Sequence, residues 1–154
     1  MTTRVNPYTT PNELIKPFID FSTMVANAGL EPSLVELVKI RASQINGCAV
    51  CLWMHTSDAR KHGETDERML MLDAWRESAL YTDREKAALG WTEALTKLHA
   101  TRAPDGDYAA VQEQFSAEEQ IKLTMMIVVI NGFNKLGVGF RISPPSGVTR
   151  TQQT

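Results

Sequence analysis

The chain has little of what would tie it to a polyanion or a lipid surface. Its 154 residues carry a net charge of -2 and a pI near 5.9. That balance gives no broad electrostatic reason to bind nucleic acid or anionic membrane. The opening residues, Met1-Thr2-Thr3-Arg4-Val5-Asn6-Pro7, lack an apolar signal core, so the expected compartment is the reducing cytoplasm. The most apolar stretch, Ile121 to Phe133, is interrupted by Lys122, Thr124 and Asn131. It falls well short of the roughly 20 residues a membrane span needs and reads as a buried helix. Strand alternation and internal sequence repeats are both lacking. What remains is ordinary: 43% hydrophobic and 22% charged residues suit one domain with a real core.

Cysteine is scarce as well, and its scarcity is informative. The chain has two, Cys48 and Cys51, and three histidines. A structural disulfide is unusual in a reducing compartment, and closing so small a ring stabilises a fold less than closing a long loop. Zinc wants four ligands, and only Cys48, Cys51 and His55 have suitable spacing; His62 and His99 do not. A thiol redox pair is therefore the favoured reading of C-x-x-C, with a metal knuckle and inert buried thiols as the alternatives.

The rest of the chain reads as helix almost throughout. Thr10-Pro11-Asn12-Glu13 has the form of a capping box before a helix carrying Leu14, Phe18, Phe21 and Val25, with Gly29 to end it. Glu31-Pro32 opens a second helix that Gly47 terminates. A third is predicted over 48–62, stopped by Gly63, and a shorter one follows from Thr65, loosening near Trp75. Thr82-Asp83-Arg84-Glu85 and Ser116-Ala117-Glu118-Glu119 are further capping boxes. They head a helix to about Leu98 and a long apolar one to about Leu136, with a short helix over 108–115 between them. The tail from 143 to 154, rich in proline, threonine and glutamine, has little to bury and is expected to be flexible. The expectation is an all-α domain of about six to seven helices over 1–142.

On a helix turning about 100° per residue, Cys48, Cys51 and His55 fall within about 60° of one another. Cys51 and His55 stand at the i, i+4 contact distance. The pair opens its helix, where free N–H groups and the positive dipole end stabilise a thiolate. An imidazole one turn on can accept and return a proton. Cys48, nearer the helix end, is expected to be the more exposed of the two. Glu36 lies among Leu34, Val35, Leu37 and Val38, and its periodicity alone favours a solvated helix position.

The run from Glu36 to His55, Glu36-Leu37-Val38-Lys39-Ile40-Arg41-Ala42-Ser43-Gln44-Ile45-Asn46-Gly47-Cys48-Ala49-Val50-Cys51-Leu52-Trp53-Met54-His55, resembles the alkyl hydroperoxidase D-like branch of the carboxymuconolactone decarboxylase superfamily. A glutamate twelve residues before C-x-x-C and a histidine four after it form the specific part of that motif. The resemblance continues through Ala59-Arg60, Trp75-Arg76, Tyr81 to Leu89, and Ile130-Asn131-x-x-Asn134-Lys135. It implies thiol-dependent reduction of hydroperoxides, with Cys48 and Cys51 as the redox pair and Glu36 and His55 as proton-relay residues. It also implies an external dithiol reductant, no cofactor or metal, and association into trimers or hexamers. Three tryptophans, seven methionines and the apolar C-terminal helix fit such association. In the expected cycle Cys51 attacks and Cys48 resolves, though the two roles can be exchanged. Val50 departs from the pattern, since members with well-defined peroxidase activity often carry histidine between the cysteines. Two other readings stay open: a lyase of the decarboxylase branch, which needs no cysteine pair, and a non-catalytic helical oligomer or metal-binding module.

Overall fold

Proline at Pro32 and glycine at Gly47 bound one helix, and two reciprocal capping boxes open two others. In a computed structural model, which describes residues 4–145, they delimit an all-α fold. The described residues form α1 (Ile15–Ala26), α2 (Pro32–Asn46), α3 (Ala49–Lys61), α4 (Asp66–Leu70), a 3-10 turn (Met71–Ala74), α5 (Asp83–Thr96), α6 (Leu98–Thr101), α7 (Asp105–Gln114) and α8 (Ala117–Gly139). The count exceeds the expected six to seven because the chain re-coils for one turn at α6 after α5 ends. Of the tail expected to be flexible, residues 146–154 lie outside the described residues.

Thr82 and Ser116 cap as their sequences predict. Each hydroxyl accepts from the N–H three residues on, and Glu85 or Glu119 reaches back to the cap N–H. The box at Thr10 does not form. Asn12 takes its place: its Oδ1 accepts from the N–H groups of Leu14 and Ile15, and its amide donates to the carbonyls of Pro7 and Thr10. The first turn of α1 therefore starts at Ile15, one short polar side chain having satisfied the free donors that the box would have served. At the other end of α2, Gly47 adopts φ 67°, the left-handed region where a side chain is disfavoured, and turns the chain directly into Cys48.

Helix α2 is the axis of the molecule. It packs against α3, α5 and α8 and is buried along nearly its whole length. One side, through Leu34, Val35 and Val38, joins a core with Trp91, Met126 and Ile127. The other, through Leu37 and Ile40, joins a second core with Leu72, Trp75 and Leu89. Helix α8 is only partly the buried helix its composition predicts. Leu123, Met126, Ile127 and Ile130 are buried, whereas Ile121 and Val128 are exposed, because a 3.6-residue period presents one stripe to the core and turns the rest away. Its length and apolarity alone would suit a bilayer span, yet it packs against α1, α2, α3 and α5.

Polar side chains fix α2 in register. Glu93 of α5, though buried, accepts from Arg41 Nε (2.8 Å), Trp75 Nε1 (2.9 Å) and Arg76 (2.5 Å). Burial pushes its carboxyl upward, but those donors outweigh the effect and hold it below the ordinary glutamate value. Near Gly47, the Asn46 amide donates to Asn131 (2.8 Å) and Asn134 (2.9 Å) of α8, and Asn134 donates to Ser43 (2.9 Å). This ladder clamps the end of α2 to α8 where the cysteines begin.

A surface triad of one arginine and two glutamates gives the molecule an acid-sensitive joint. Arg84 bridges Glu31 (2.8 Å) and Glu119 (2.7 Å). The hydrogen bond from Arg84, followed by the cap at Ser116, lowers Glu119 from 4.5 to about 2. A depressed carboxylate stabilises the fold at pH above its unfolded value and loses that contribution as pH falls through its folded value. Glu119→Gln is therefore expected to flatten the acid limb of thermal stability between about pH 4.5 and about 2. An unchanged slope in that window, read by melting at a series of pH values, would exclude the assignment.

Candidate functional site

Cys48 caps the N-terminus of α3 and Cys51 occupies its first turn. The two are joined as a disulfide, with Cα atoms 5.3 Å apart. Contrary to the expected order of exposure, Cys48 is the more deeply buried, at 1% against 6% for Cys51. The cause lies on α8. A Cβ added to Gly137 would sit 2.6 Å from Cys48 Sγ and 3.6 Å from Cys51 Sγ, so the bare glycine lets the helix backbone close over the disulfide. Gly137→Ala is accordingly expected to cost about 1–3 kcal/mol through overpacking, measurable by urea denaturation of the oxidised protein. A neutral result would mean that α8 can retreat freely.

Cys51 opens the other way. It borders a cavity of about 450 Å³ together with His55 and Lys39. The remaining wall is largely apolar, from Ile19 of α1 and Val129, Ile130 and Phe133 of α8. Val50, which stands between the cysteines, also lines it. Cys51 thus meets a space fit for a small molecule with an apolar body, while Cys48 lies behind it under α8.

Glu36 is not the solvated residue that periodicity favours. It is buried, with Oε2 at 2.9 Å from His55 Nδ1 and Oε1 at 2.8 Å from Lys39 Nζ. Burial pushes its carboxyl upward most strongly. The His55 hydrogen bond and the Lys39 charge together exceed that, and the group is held below its ordinary value. The carboxylate so held accepts Nδ1–H, and Nε2 is the His55 nitrogen that this bond leaves unused. All four residues singled out from the sequence, Cys48, Cys51, His55 and Glu36, therefore meet around one end of α3.

Lys39 and Gly137 belong to the same cluster and were not singled out from the sequence. Lys39 stands three residues from Glu36, on its face, which was the available signal. An isolated glycine inside the apolar α8 was the other. Among the described residues, donor atoms of Glu36, His55 and Asp58 come within 4.8 Å of one another. Lys39 and His55 hold Glu36, and Lys61 holds Asp58 at 2.6 Å.

The architecture defines a class: an all-α protein with a C-x-x-C pair at a helix mouth beside a Glu–His pair. The chain belongs to the carboxymuconolactone decarboxylase family, whose model matches residues 13–94. It is 40% identical over 138 residues to the uncharacterised YdfG of Bacillus subtilis (strain 168), covering 90% of this chain and 94% of that one. A crystal structure of a protein of unknown function from Agrobacterium tumefaciens, described as a candidate antioxidant defence protein AhpD, superposes with a TM-score of 0.91 at 39% identity. That match covers 95% of this chain and 100% of the other. The alkyl hydroperoxide reductase AhpD of Hyphomonas neptunium is 41% identical over 46 residues, only 30% of this chain and 26% of that enzyme.

Proposed function

We propose that the protein is a cytoplasmic thiol peroxidase that reduces organic hydroperoxides through a Cys48–Cys51 dithiol–disulfide cycle. One observation carries the reading: Cys51 of the bonded pair faces an apolar cavity beside an imidazole oriented by a buried carboxylate. The names of the AhpD relatives support it.

In the reduced enzyme, the Cys51 thiol gives its proton to His55 Nε2 and the thiolate attacks the terminal oxygen of ROOH. An S–O bond forms, the O–O bond breaks, and RO⁻ takes the proton back from His55 and leaves as alcohol. Cys51 is now a sulfenic acid. The Cys48 thiol attacks its sulfur, forming the S–S bond, and hydroxide leaves with the Cys48 proton as water. The sum is ROOH plus two thiols giving ROH, water and one disulfide. An external dithiol then attacks Cys51, the sulfur open to the cavity, with Cys48 as leaving group, and its second thiol releases Cys51. The cycle suits a reducing compartment. Exposed Trp53, Met54 and Val138 offer apolar surface for the proposed trimers or hexamers, which sedimentation would count.

The test is mass spectrometry of the pre-reduced protein after one equivalent of cumene hydroperoxide. Loss of two hydrogens, mapped to the peptide holding Cys48 and Cys51, is the expected result; an unchanged mass overturns the reading. The family name also admits a lyase acting on a ring lactone. Thiol alkylation separates the two, because a lyase independent of the cysteines survives it.

A further inference from the structure

Lys39 is assigned no role by the mechanism above, yet it is mostly buried and lines the reaction cavity with Cys51 and His55. The geometry points to Lys39 as the positioning residue that neutralises Glu36, so that His55 stands uncharged and free to take the Cys51 proton. This inference rests on the proposed thiol cycle for its catalytic meaning, but not for its measurement.

The argument is one of charge. A buried carboxylate in contact with an imidazole favours the imidazolium, and a histidine that already holds a proton on both nitrogens is no base. Here the carboxylate has two partners, one on each oxygen: Lys39 Nζ at 2.8 Å and His55 Nδ1 at 2.9 Å. The ammonium balances the carboxylate by itself, and the imidazole need supply only a neutral N–H. The same ammonium adds positive charge to the cavity wall where the Cys51 thiolate forms.

Other groups near the pair do not substitute for it. On α3, Asp58 adds a negative charge, itself taken up by Lys61 at 2.6 Å. The N-terminal segment contributes Tyr8, whose hydroxyl burial keeps in its neutral form. Among the described residues, α1 and α8 present only uncharged side chains to the cavity, Ser22 and Thr23 on the first and Val129 and Phe133 on the second among them. Removing the Lys39 charge therefore leaves Glu36 balanced by His55 alone. The cavity wall also loses the positive charge beside the place where the Cys51 thiolate forms, so that thiolate becomes harder to form.

The experiment follows iodoacetamide alkylation of Cys51 in the fully reduced protein as a function of pH, with no peroxide present. Wild type, Lys39→Met and Lys39→Arg are compared. In Lys39→Met the midpoint of the rate rise is expected about one pH unit higher, and Lys39→Arg, which keeps the charge, is expected to restore it. Lys39→Gln, neutral but still a hydrogen-bond donor, gives the same upward shift and serves if the methionine variant folds poorly. A midpoint unmoved in the neutral variants overturns the proposal. So does an equal shift in Lys39→Arg, because packing rather than charge would then be responsible. If the reduced wild type fails to oxidise with hydroperoxide while the alkylation shift holds, the peroxidase reading falls and the role of Lys39 stands.

Discussion

Replacing Cys51 with serine is expected to abolish hydroperoxide turnover, by at least about a thousandfold in kcat/KM, since the reacting atom itself is removed. A serine hydroxyl keeps its proton at neutral pH, and oxygen cannot form the sulfenic acid that the cycle passes through. The partner variant separates attack from resolution. Cys48→Ser is expected to consume one equivalent of hydroperoxide and stop at a Cys51 sulfenic acid, detectable as a dimedone adduct, without multiple turnover. The asymmetry of the site motivates this order: Cys51 borders the cavity, whereas Cys48 lies under the backbone of α8 at Gly137. If Cys51→Ser forms the adduct and Cys48→Ser does not, the two roles are reversed. Multiple turnover by Cys51→Ser would sink the mechanism.

Glu93→Ala is expected to cost about 3–5 kcal/mol of stability, the usual penalty for removing one partner of a buried ion pair. Glu93 receives the Arg41 and Arg76 guanidinium groups and the Trp75 indole N–H. Without it, Arg41 retains its contact to Asp73 and to Gln44 but faces the interior with an unsatisfied Nε–H. Arg41 is on α2, as are Glu36 and Lys39, so the loss would reach the site as well as the core. Urea denaturation measures the first effect. A loss below about 1 kcal/mol would mean that the network is as dispensable as an exposed salt bridge. Glu93→Gln, which keeps an acceptor but not the charge, is expected to fall between the alanine variant and wild type.

Much of this molecule is legible along the chain because the signals are local. Pro32, Gly47, Gly63 and the boxes at Thr82 and Ser116 act through hydrogen bonds within a few residues, and each boundary falls where they place it. The phase of Cys51 and His55 on α3 is likewise a property of one helix, whereas Cys48, expected within it, stands in extended conformation at its cap (φ -86°, ψ 96°). Where local signals compete, sequence reading fails: at Thr10 the box motif lost to the side chain of Asn12, which satisfies the same free donors from nearer the helix.

The amino-acid order by itself determined an all-helical chain and placed a thiol pair at a helix mouth with an imidazole one turn on, because those features depend on backbone periods and short-range capping. Only the tertiary structure decided what surrounds them. Periodicity favours a solvated Glu36, and packing α2 against α3 buried it with His55 and Lys39 on its two oxygens. Position at the helix end favours an exposed Cys48, and the close approach of α8 at Gly137 covered it and left Cys51 to the cavity. The physical reason is distance along the chain: α8 reaches the cysteines from more than eighty residues away, and no period within one helix records which neighbour will close over it.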